Sequence, residues 1–375
     1  MRVNRIFILL GNLGSGGAER VAANMANYFV SNGKEVVIAV YEDSNNFYEL
    51  DERVKLIPLH LMFDSKSFVT KVTNTIKRLG IIRKVVLNYK PDIVVAFLTS
   101  PSVLGVLALL GSKIPFVASE RSNPYVYPKE MSLRLMRDYT SYLTDGYIFQ
   151  TKRAMDYFPM SVRRKSTVIP NPVSVSNIPD IWRGSREKII ASMGRLSDQK
   201  DHETLIRAFS IVFKEHMDYR LVIYGEGPDK KRLQELCEKE GVYEAVDFPG
   251  AKRDAIKLIA KAQVFVLSSK AEGFPNALVE AMAAGIPSIS TDCPMGPSEV
   301  IENGKNGILV PMGDEHAMAA SINKIIEDNA FSVNISEEGY KIREKFSSEL
   351  VFGQIEKYFE EIILKKNKKI KLGGL

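Results

Sequence analysis

Two glutamates lie on either side of a turn that opens a helix. Glu272 is followed by Gly-Phe-Pro-Asn-Ala-Leu-Val and then by Glu280. The apolar run from Ala262 to Leu267 precedes them and is typical of a buried parallel strand, and Pro275-Asn276 favours a helix start. Unpaired backbone N–H groups at such a start attract a phosphate. The segment therefore predicts an anion site that suits a nucleotide-sugar.

A hydrolytic pair of carboxylates is a different use of two glutamates, and their spacing argues against it. If the whole interval were helical, Glu272 and Glu280 would lie roughly 12 Å apart along the axis. The paired carboxylates of glycosidases lie roughly 5 to 9.5 Å apart. We therefore expect the two glutamates to have separate roles.

Two cations follow the first strand predicted for the second half of the chain. Arg195 and Lys200 lie in the segment Gly-Arg-Leu-Ser-Asp-Gln-Lys, at the carboxyl end of that strand. Two positive charges there can neutralise a diphosphate leaving group, whose developing charge is the main electrostatic problem in sugar transfer. A surface ion pair of Lys200 with Asp198 or Asp201 is the alternative.

Glycine-containing turns follow three further predicted strands. Gly225-Glu-Gly-Pro228 permits close backbone approach to a ligand, although such a turn is also common as a purely structural feature. Phe248 to Arg253 contains Gly250 and Lys252 at a second strand end. In the first half, Gly14 to Gly17 lies between a strand and a helix, where its amides can form an anion nest. Glu19, in the first turn of that helix, also complements the helix dipole.

The interval from Glu272 to Glu280 resembles the E-x7-E signature of the retaining family 4 glycosyltransferases (GT4), which are GT-B enzymes that use nucleotide-diphospho-sugars. Five further blocks match the family in the same order, so the resemblance covers nearly the whole chain. These blocks are Gly14-Ser-Gly-Gly-Ala-Glu-Arg20, Ser119-Glu-Arg-Ser-Asn-Pro124, Ile169-Pro-Asn-Pro172, Gly194-Arg-Leu-Ser-Asp-Gln-Lys200 and Gly225-Glu-Gly-Pro228.

The resemblance implies roles for the matched positions. Arg195 and Lys200 would contact the donor pyrophosphate, Glu280 the ribose hydroxyls, and Glu272 the transferred sugar or the two cations. The implied catalytic residues are Glu272, Arg195, Lys200 and Glu120. The implied donor-binding residues are Gly16, Gly17, Arg195, Lys200, Gly225, Gly227, Gly250, Lys252, Glu272, Gly273, Phe274, Pro275, Asn276, Ala277 and Glu280. The implied acceptor-side residues are Glu19, Arg20, Arg121 and Asn123.

One block departs from the common family pattern. Many GT4 members carry a histidine after the strand that corresponds to Pro115 to Ser119, whereas Glu120 and Arg121 follow it here. The departure resembles a branch that includes bacterial N-acetylgalactosaminyl- and related transferases of glycan assembly. Either Glu120 or Arg121 could face the transferred sugar. We expect no metal site, because the four histidines lack a metal or catalytic-triad context: His60, His202, His216 and His316.

The length and the alternation of strands and helices predict two α/β domains. At 375 residues the chain exceeds what one hydrophobic core normally supports. The resemblance implies the GT-B fold, with two doubly wound Rossmann-like domains facing across a cleft. We predict an N-terminal acceptor-side domain over residues 1–175, a nucleotide-sugar-binding domain over residues 180–346, and a C-terminal helix over about 347–375 that crosses back onto the first domain. Pro170, Pro172 and Pro179 mark the linker.

The apolar runs place the strands. Those of the first domain are Ile6 to Leu10, Glu35 to Tyr41, Asp92 to Leu98, Pro115 to Ser119, Gly146 to Gln150 and Ser166 to Ile169, with a helix from Ala18 to about Ser31. Those of the second are Lys188 to Met193, Leu221 to Gly225, Val246 to Phe248, Val264 to Leu267 and Pro287 to Thr291. Helices are predicted after Asp201, Asp229 and Asp254, and the last helix over roughly Ser347 to Lys365.

Charge is unevenly distributed along the chain. Residues 1–170 carry 23 Lys and Arg against 14 Asp and Glu, and five lysines lie between Lys365 and Lys371. A basic face suits phosphate-rich partners such as anionic lipid headgroups, and a solvated surface is the alternative. The segment from Lys66 to Lys90 has apolar residues at roughly helical spacing among its basic ones, so it could lie at a bilayer surface or pack on the sheet. These apolar residues are Phe68, Val69, Val72, Ile76, Leu79, Ile82 and Val86.

The remaining composition favours a cytoplasmic enzyme. The two cysteines, Cys237 and Cys293, lie far apart and indicate a reducing compartment. No apolar stretch is long enough to span a membrane, and the apolar N-terminus is better interpreted as a strand than as a signal peptide.

We therefore expect a retaining transferase, peripheral at the membrane. It would move a hexose or N-acetylhexosamine (GalNAc, GlcNAc or Gal) from a UDP-sugar to a lipid-linked or polysaccharide acceptor of bacterial surface glycan synthesis. We expect a lipid-diphosphate-linked acceptor, with no cofactor, metal or nucleic acid. The alternatives are a nucleotide-sugar epimerase or phosphorylase and an inactive sugar-nucleotide-binding scaffold.

Overall fold

The computed structural model describes residues 2–14, 16–42, 47–63 and 67–373, and it divides the chain into two compact units. Unit 1 contains Met1–Asn171 and Val351–Leu375, and unit 2 contains Pro172–Leu350. The last segment of the chain therefore belongs to the same unit as the first. Ser15 of the glycine loop and Lys66, at the start of the predicted basic helix, lie outside the described residues.

Strands and helices alternate along both units. The strands are β1 Arg5–Leu10, β2 Glu35–Val40, β3 Lys55–Pro58, β4 Ile93–Phe97, β5 Phe116–Glu120, β6 Gly146–Phe149, β7 Ser166–Val168, β8 Glu187–Met193, β9 Arg220–Tyr224, β10 Val246–Asp247, β11 Ala262–Leu267, β12 Ser288–Thr291 and β13 Ile308–Val310. The helices are α1 Gly17–Ser31, α2 Phe68–Tyr89, α3 Thr99–Ala108, α4 Met131–Thr140, α5 Lys152–Asp156, α6 Met160–Arg163, α7 His202–Glu215, α8 Lys230–Lys239, α9 Ala255–Leu258, α10 Asn276–Ala283, α11 Pro297–Val300, α12 Glu315–Glu327, α13 Asn329–Tyr340, α14 Ile342–Lys345 and α15 Ser348–Gly373.

Unit 1 is built on a parallel sheet with the strand order β3-β2-β1-β4-β5-β6-β7. Its central strands are buried throughout, which explains their continuous apolar sequences. The helix α15 packs into this core through Phe352 and Phe359, which contact Phe29 of α1. The hydroxyl of Tyr358 also accepts a hydrogen bond of 2.9 Å from the backbone N–H of Tyr147. These contacts explain why the last helix belongs to unit 1.

Unit 2 has a second parallel sheet, with the strand order β10-β9-β8-β11-β12-β13. Its helices α7, α8 and α9 begin directly after Asp201, Asp229 and Asp254, as the sequence predicts. Because β8 is followed on one side by β9 and on the other by β11, the strand order reverses at β8. Ligands of doubly wound sheets bind beside the carboxyl ends of the strands at such a point.

The structure confirms the predicted fold class, two doubly wound Rossmann-like domains, and it corrects details. The edge strands β3 and β13 have no counterpart in the prediction. The last helix, α15, continues past Lys365 to Gly373, within the predicted segment 347–375. The apolar residues predicted on the basic helix divide into two groups. Ile82 and Val86 of α2 are buried on unit 1, whereas Val69 and Ile76 are exposed. None of the helices in the described part of the chain is long and apolar enough to cross a membrane.

Candidate active site

An ion pair links the loops that follow β8 and β11. Lys200 Nζ lies 2.5 Å from Glu272 Oε1, and the Ser269 hydroxyl donates to the same oxygen at 2.6 Å. The Glu272 side chain is 7% exposed and that of Lys200 is 20% exposed. The structure thus brings together two predicted catalytic residues that are 72 positions apart in the sequence.

Backbone contacts fix these two loops against each other. The Ser268 hydroxyl donates to the Lys200 carbonyl at 2.8 Å, and the Lys270 N–H donates to the Gln199 carbonyl at 2.9 Å. Asp198, one of the alternative partners of Lys200, pairs with Lys270 at 2.7 Å instead. Lys200 therefore pairs with Glu272, and the backbone contacts between the two loops help to hold Lys200 in position.

Glycines are required where the neighbouring loop passes closely. A Cβ at Gly225 would collide with the Gly194 carbonyl oxygen, and one at Gly227 would collide with the Leu196 carbonyl oxygen. Gly225 also donates its N–H to the Gly250 carbonyl at 3.1 Å. Gly225, Gly227 and Gly250 therefore hold the ends of β8, β9 and β10 together. For the turn from Gly225 to Pro228, this is the structural role that the sequence offers as the alternative to ligand binding.

Two predicted donor-binding cations are exposed beside these loops. Arg195 follows Gly194 at the end of β8, and Lys252 follows Gly250. Neither side chain has an ion-pair partner in the described part of the chain. Both charges are thus available to an anion, unlike the charge of Lys200.

The start of α10 is partly enclosed. Phe274 is buried and its ring contacts that of Phe346 at 5.9 Å, and Pro275 packs on Gly296, which has a φ of +104°. The N–H of Asn276 donates to the Phe274 carbonyl at 2.9 Å, so this predicted phosphate donor is already used within the turn.

The remaining predicted residues of this loop and helix differ in burial. Gly273 and Ala277 are partly exposed at the turn, and Glu280 is half-buried within α10. They share one strand-to-helix connection with Glu272, at the carboxyl edge of β11. The predicted turn therefore lies where the strand order places a ligand.

His202 is a neighbour of this cluster that sequence reasoning treated as surface or structural. It is the first residue of α7, it is 3% exposed, and its Nδ1 atom has no hydrogen-bond partner among the described residues. Burial, with a smaller effect of the Lys200 charge, lowers the pKa of His202 to about 4. The side chain is therefore neutral at physiological pH. In the sequence, the sign that His202 belongs to this cluster is its position two residues after Lys200.

In unit 1, the glycine loop meets the first turn of α1. Gly16 is the N-cap of this helix and, with Gly17, is exposed. The Glu19 carboxylate lies against Gly16, so that a Cβ there would collide with it. Arg20 is partly exposed in the same turn. These four residues, predicted for the donor and acceptor, share one helix start.

Glu120 and Arg121 are adjacent at the end of β5 but contact different residues. The Glu120 carboxylate is buried and accepts hydrogen bonds from the Ser122 hydroxyl at 2.6 Å and from Thr99 at 3.4 Å. Burial raises the pKa of this carboxyl above its usual value, which favours its protonated form. Arg121 stacks on the Phe97 ring with its guanidinium carbon 5.2 Å from the ring centre.

The guanidinium of Arg121 has neutral partners. Its Nε donates to the Ser119 hydroxyl at 2.8 Å and its Nη1 to Asn171 Oδ1 at 2.7 Å. Its Nη2 is buried with no partner in the described ranges. Asn123 is also buried, and its side-chain oxygen accepts the N–H of Tyr125 at 3.0 Å. The predicted acceptor-side residues Arg121 and Asn123 thus hold the loop after β5 in place.

Among the described residues, one group has the spacing of metal ligands: Glu215, His216 and Glu327. It lies at the C-terminal ends of α7 and α12, whereas Lys200 precedes the N-terminus of α7. Because α7 is 14 residues long, about 20 Å of helix separates the two places. The group is not part of the cluster around Glu272.

Two family models match the chain, one in each part of it. The profile of Glycosyltransferase Family 4 matches residues 15–177, and that of Glycosyl transferases group 1 matches residues 177–342. Together the two matches cover residues 15–342, and the chain belongs to the glycosyltransferases that carry both domains. The boundary between the two matches falls at residue 177, just after the beginning of unit 2.

Relatives and solved structures are similar over nearly the whole chain. Two Campylobacter jejuni α-1,4-N-acetylgalactosaminyltransferases, both named for diphospho-undecaprenol-linked substrates, are 27% and 28% identical and cover 87% of this chain and 90% and 91% of their own. The structure of Anabaena HepE in complex with UDP has a TM-score of 0.79 at 18% identity, over 95% of this chain and all of the other. Sucrose-phosphate synthase from Thermosynechococcus elongatus has a TM-score of 0.81 at 16% identity, over 96% of this chain and all of the other. These likenesses show the GT-B glycosyltransferase fold.

Proposed function

We propose that this glycosyltransferase moves a hexose or N-acetylhexosamine from a UDP-sugar to a lipid-diphosphate-linked glycan, with retention of the anomeric configuration. The names of the two Campylobacter relatives support N-acetylgalactosamine as the first sugar to test and a lipid diphosphate as the acceptor class. The UDP in the HepE structure supports the nucleotide.

The observation that carries this proposal is the Lys200–Glu272 pair at the carboxyl edge of unit 2. A nearly buried carboxylate holds a cation at 2.5 Å, beside the exposed charge of Arg195. A diphosphate that binds here would meet the exposed charge of Arg195 and the charge of Lys200, which Glu272 partly neutralises. Because its own charge grows as the sugar leaves, these charges stabilise the transition state more than the bound donor.

The same pair supports a reaction on one face of the sugar. Glu272 Oε1 is occupied by Lys200 and Ser269, which makes this oxygen a poor nucleophile. In the proposed step, the bond from the anomeric carbon to the UDP oxygen breaks and a bond to the acceptor oxygen forms on the same face. The acceptor hydroxyl proton passes to the departing phosphate. UDP and the extended glycan are the products.

We propose that the reaction needs no metal ion. Lys200, Arg195 and the start of α10 supply positive potential where a metal would otherwise neutralise the diphosphate, and the sequence contains no Asp-x-Asp motif. Full turnover in EDTA is the expected result. Strict dependence on Mn²⁺ would contradict this part of the proposal.

The deciding experiment incubates the protein with labelled UDP-GalNAc, UDP-GlcNAc, UDP-glucose and UDP-galactose, with and without a lipid-linked acceptor. Acceptor-dependent UDP release with an α-linked product supports the proposal. Epimer formation without acceptor would indicate an epimerase, and binding without turnover would indicate a scaffold. NMR coupling constants of the product distinguish retention from inversion.

Two lysine variants provide a matched pair for this assay. Lys200→Met removes the cation held by Glu272 and is expected to lower kcat by about 10²- to 10³-fold, the usual effect of removing one oxyanion-stabilising group. Lys270→Met removes a neighbouring lysine that pairs with the exposed Asp198, and kcat should change little. Equal effects of both variants would refute a specific role for Lys200.

We also propose that the enzyme acts as a peripheral protein on the cytoplasmic face of the membrane, where a soluble donor and a lipid-linked acceptor can meet. The basic helix α2 is a less simple anchor than its sequence suggests. Arg78 donates to the Leu61 carbonyl at 2.9 Å and Arg83 to the Ala108 carbonyl at 2.8 Å, so both have structural roles. Lys77 and Lys84 are exposed and have no ion-pair partner in the described ranges. If Lys77, Arg78, Arg83 and Lys84 were all replaced, the variant could lose membrane binding because it unfolds, so it would not test the charges.

A further inference from the structure

Exposed apolar side chains are concentrated in one short part of unit 1. Of the 24 large hydrophobic residues that are exposed in the described ranges, eight fall within residues 125–143. That is a third of them in about a twentieth of the chain. They are Tyr125, Val126, Met131, Leu135, Met136, Tyr139, Tyr142 and Leu143. Patches of this kind on soluble proteins usually mark an interaction site.

The helix α4 arranges part of this set as a stripe. Met131, Leu135 and Tyr139 recur every four residues and are 63%, 62% and 77% exposed. Residues at this spacing lie on one face of a helix. In a helix that only covers a sheet, the outward face is normally polar, whereas here it is apolar over about 12 Å.

The opposite side of α4 is firmly anchored, so the stripe cannot turn inward. Arg137 is 1% exposed, and its guanidinium donates to the Tyr127 carbonyl at 2.7 Å and contacts Asp138 at 2.9 Å. The same group stacks on the Tyr157 ring at 4.6 Å. These contacts of a buried guanidinium fix the rotation of the helix. The apolar face is therefore a stable feature of unit 1.

Lysines surround the C-terminal end of the stripe. Lys165 Nζ donates to the Tyr142 carbonyl at 2.9 Å, and Lys366 of α15 pairs with Asp145 at 2.9 Å. Lys369 lies close enough to Lys165 for their charges to repel. Together with Lys368, which is exposed, Lys369 has no carboxylate partner among the described residues. The stripe thus ends in positive charge.

The other end of the stripe lies near the loop after β5. Met131 begins α4, and the exposed Tyr125 and Val126 precede it. The same loop contains Arg121 and Asn123, which the family resemblance assigns to the acceptor side. The apolar surface therefore runs from the candidate acceptor residues to the lysines.

We propose that this surface, formed by residues 125–143 and the lysines at the end of α15, docks on an anionic lipid bilayer. The inference rests on the proposed function for its purpose, which is to bring a lipid-linked acceptor to the loop after β5. Apolar side chains would enter the headgroup region while the lysines contact anionic lipid phosphates.

Charge complementarity selects a bilayer over a second copy of the chain. A twofold interface places the same surface of each copy against itself. At such an interface the unpaired lysines would need carboxylates of the other copy, and residues 125–143 offer only Glu130 and Asp138, of which Asp138 pairs with Arg137. Anionic headgroups would neutralise the lysines, and a bilayer can also accept an apolar stripe that has no complementary groove.

The test compares two pairs of exposed apolar residues. Leu135→Ser/Tyr139→Ser alters the stripe, and Val69→Ser/Ile76→Ser is the matched control on α2, where the two side chains are 69% and 64% exposed. Flotation with phosphatidylcholine vesicles, with and without phosphatidylglycerol, measures the partition coefficient. We expect the first double variant to bind anionic vesicles at least about tenfold more weakly than the unaltered protein. The second should bind as the unaltered protein does.

A lysine variant tests the electrostatic part of the surface. Lys368→Gln/Lys369→Gln should weaken binding to anionic vesicles about fivefold per lysine at low salt and reduce the dependence on salt. Binding that is equal for neutral and anionic vesicles would overturn the commitment to anionic lipid. Circular dichroism melts check that each variant is folded.

Other results would overturn the proposal. These are loss of vesicle binding in the α2 variant alone, unchanged binding in the α4 variant, or a dimer in sedimentation equilibrium that only the α4 variant dissociates. Vesicle binding is measured without donor or acceptor, so it does not depend on the proposed reaction. If transfer is observed, Leu135→Ser/Tyr139→Ser should raise KM for a lipid-linked acceptor in vesicles. KM for a short-chain, water-soluble acceptor should not change.

Discussion

We predict that loss of either partner of the Lys200–Glu272 pair destabilises unit 2, separately from any effect on catalysis. Glu272 Oε1 accepts hydrogen bonds from Lys200 Nζ and the Ser269 hydroxyl, and the Glu272 side chain is 7% exposed. Removal of the lysine leaves a carboxylate charge with one neutral partner in a nearly buried place. Removal of the carboxylate leaves a lysine that still reaches water. The two single changes should therefore have unequal costs.

The size of these costs follows from the two exposures. Loss of one partner of a buried ion pair costs about 3 to 5 kcal/mol, and because Lys200 is 20% exposed we expect the lower limit, about 3 kcal/mol, for Lys200→Met. Glu272→Gln keeps an acceptor for Ser269 and should cost about 1.5 kcal/mol. The double variant removes both charges and should cost about 2.5 kcal/mol, which gives a coupling energy of about 2 kcal/mol.

The chain offers a specific probe for this measurement. Trp182 is the single tryptophan and lies in unit 2, where its indole N–H donates to the Ser185 carbonyl at 3.0 Å. Its fluorescence in a urea titration therefore reports the unfolding of unit 2. Lys270→Met is the control, because Lys270 is 48% exposed, its partner Asp198 is 78% exposed, and its contact with the buried Asp201 is long at 3.7 Å. The pair with Asp198 should contribute less than about 1 kcal/mol.

Two outcomes would contradict this reasoning. If the costs of Lys200→Met and Glu272→Gln add up to that of the double variant within about 0.5 kcal/mol, the two side chains are not coupled. If Lys270→Met costs as much as Lys200→Met, burial does not set the magnitude. The same variants can be tested for function. Glu272→Gln frees Lys200, so UDP should bind more tightly in calorimetry, whereas kcat should fall.

Further predictions concern single positions around the same loops. The pKa of His202 is lowered to about 4, so the unfolded chain binds more protons between pH 6.5 and 4, and the stabilising effect of neutral His202 is lost as the pH falls. At pH 5 this loss is about 2 kcal/mol relative to pH 8, and His202→Gln should lack it in urea titrations at both pH values. Gly225→Ala forces a Cβ against the Gly194 carbonyl oxygen and should cost about 1 to 3 kcal/mol in the same assay, whereas an unchanged midpoint would refute the close approach. Arg195→Ala should lower kcat, and Glu280→Ala should mainly raise KM for the donor, since the first acts on developing charge and the second on ground-state binding.

Much of the fold could be predicted because buried parallel strands have a simple sequence pattern. Continuous apolar runs identified the central strands of both sheets, and Asp201, Asp229 and Asp254 marked the starts of three helices. The edge strands β3 and β13 were missed, since each is short and partly exposed and so lacks such a run.

The members of the candidate cluster could be chosen from the sequence, whereas the contacts between them could not. Arg195, Lys200 and Glu272 stood out by type and spacing, but periodicity does not say which side chains meet across loops. The proximity of Lys200 to Asp198 in the sequence suggested an ion pair that Lys270 forms instead. The burial of His202 could not be predicted from its place near Lys200, because that burial depends on the packing of the whole helix α7.

The charged side chains at the carboxyl edges of the two sheets are paired differently. In unit 2, Glu272 holds Lys200 in place, so under the proposed function a diphosphate would compete with that carboxylate for the cation. The contact positions the lysine before a ligand binds, and in the proposed reaction the charge that develops on the phosphate would give the lysine a second anionic partner. In unit 1, burial favours the protonated form of Glu120, and the neighbouring Arg121 has neutral partners. Burial thus disfavours the charge of Glu120 beside Arg121, and under the proposed function this would suit an acceptor that brings its own phosphates.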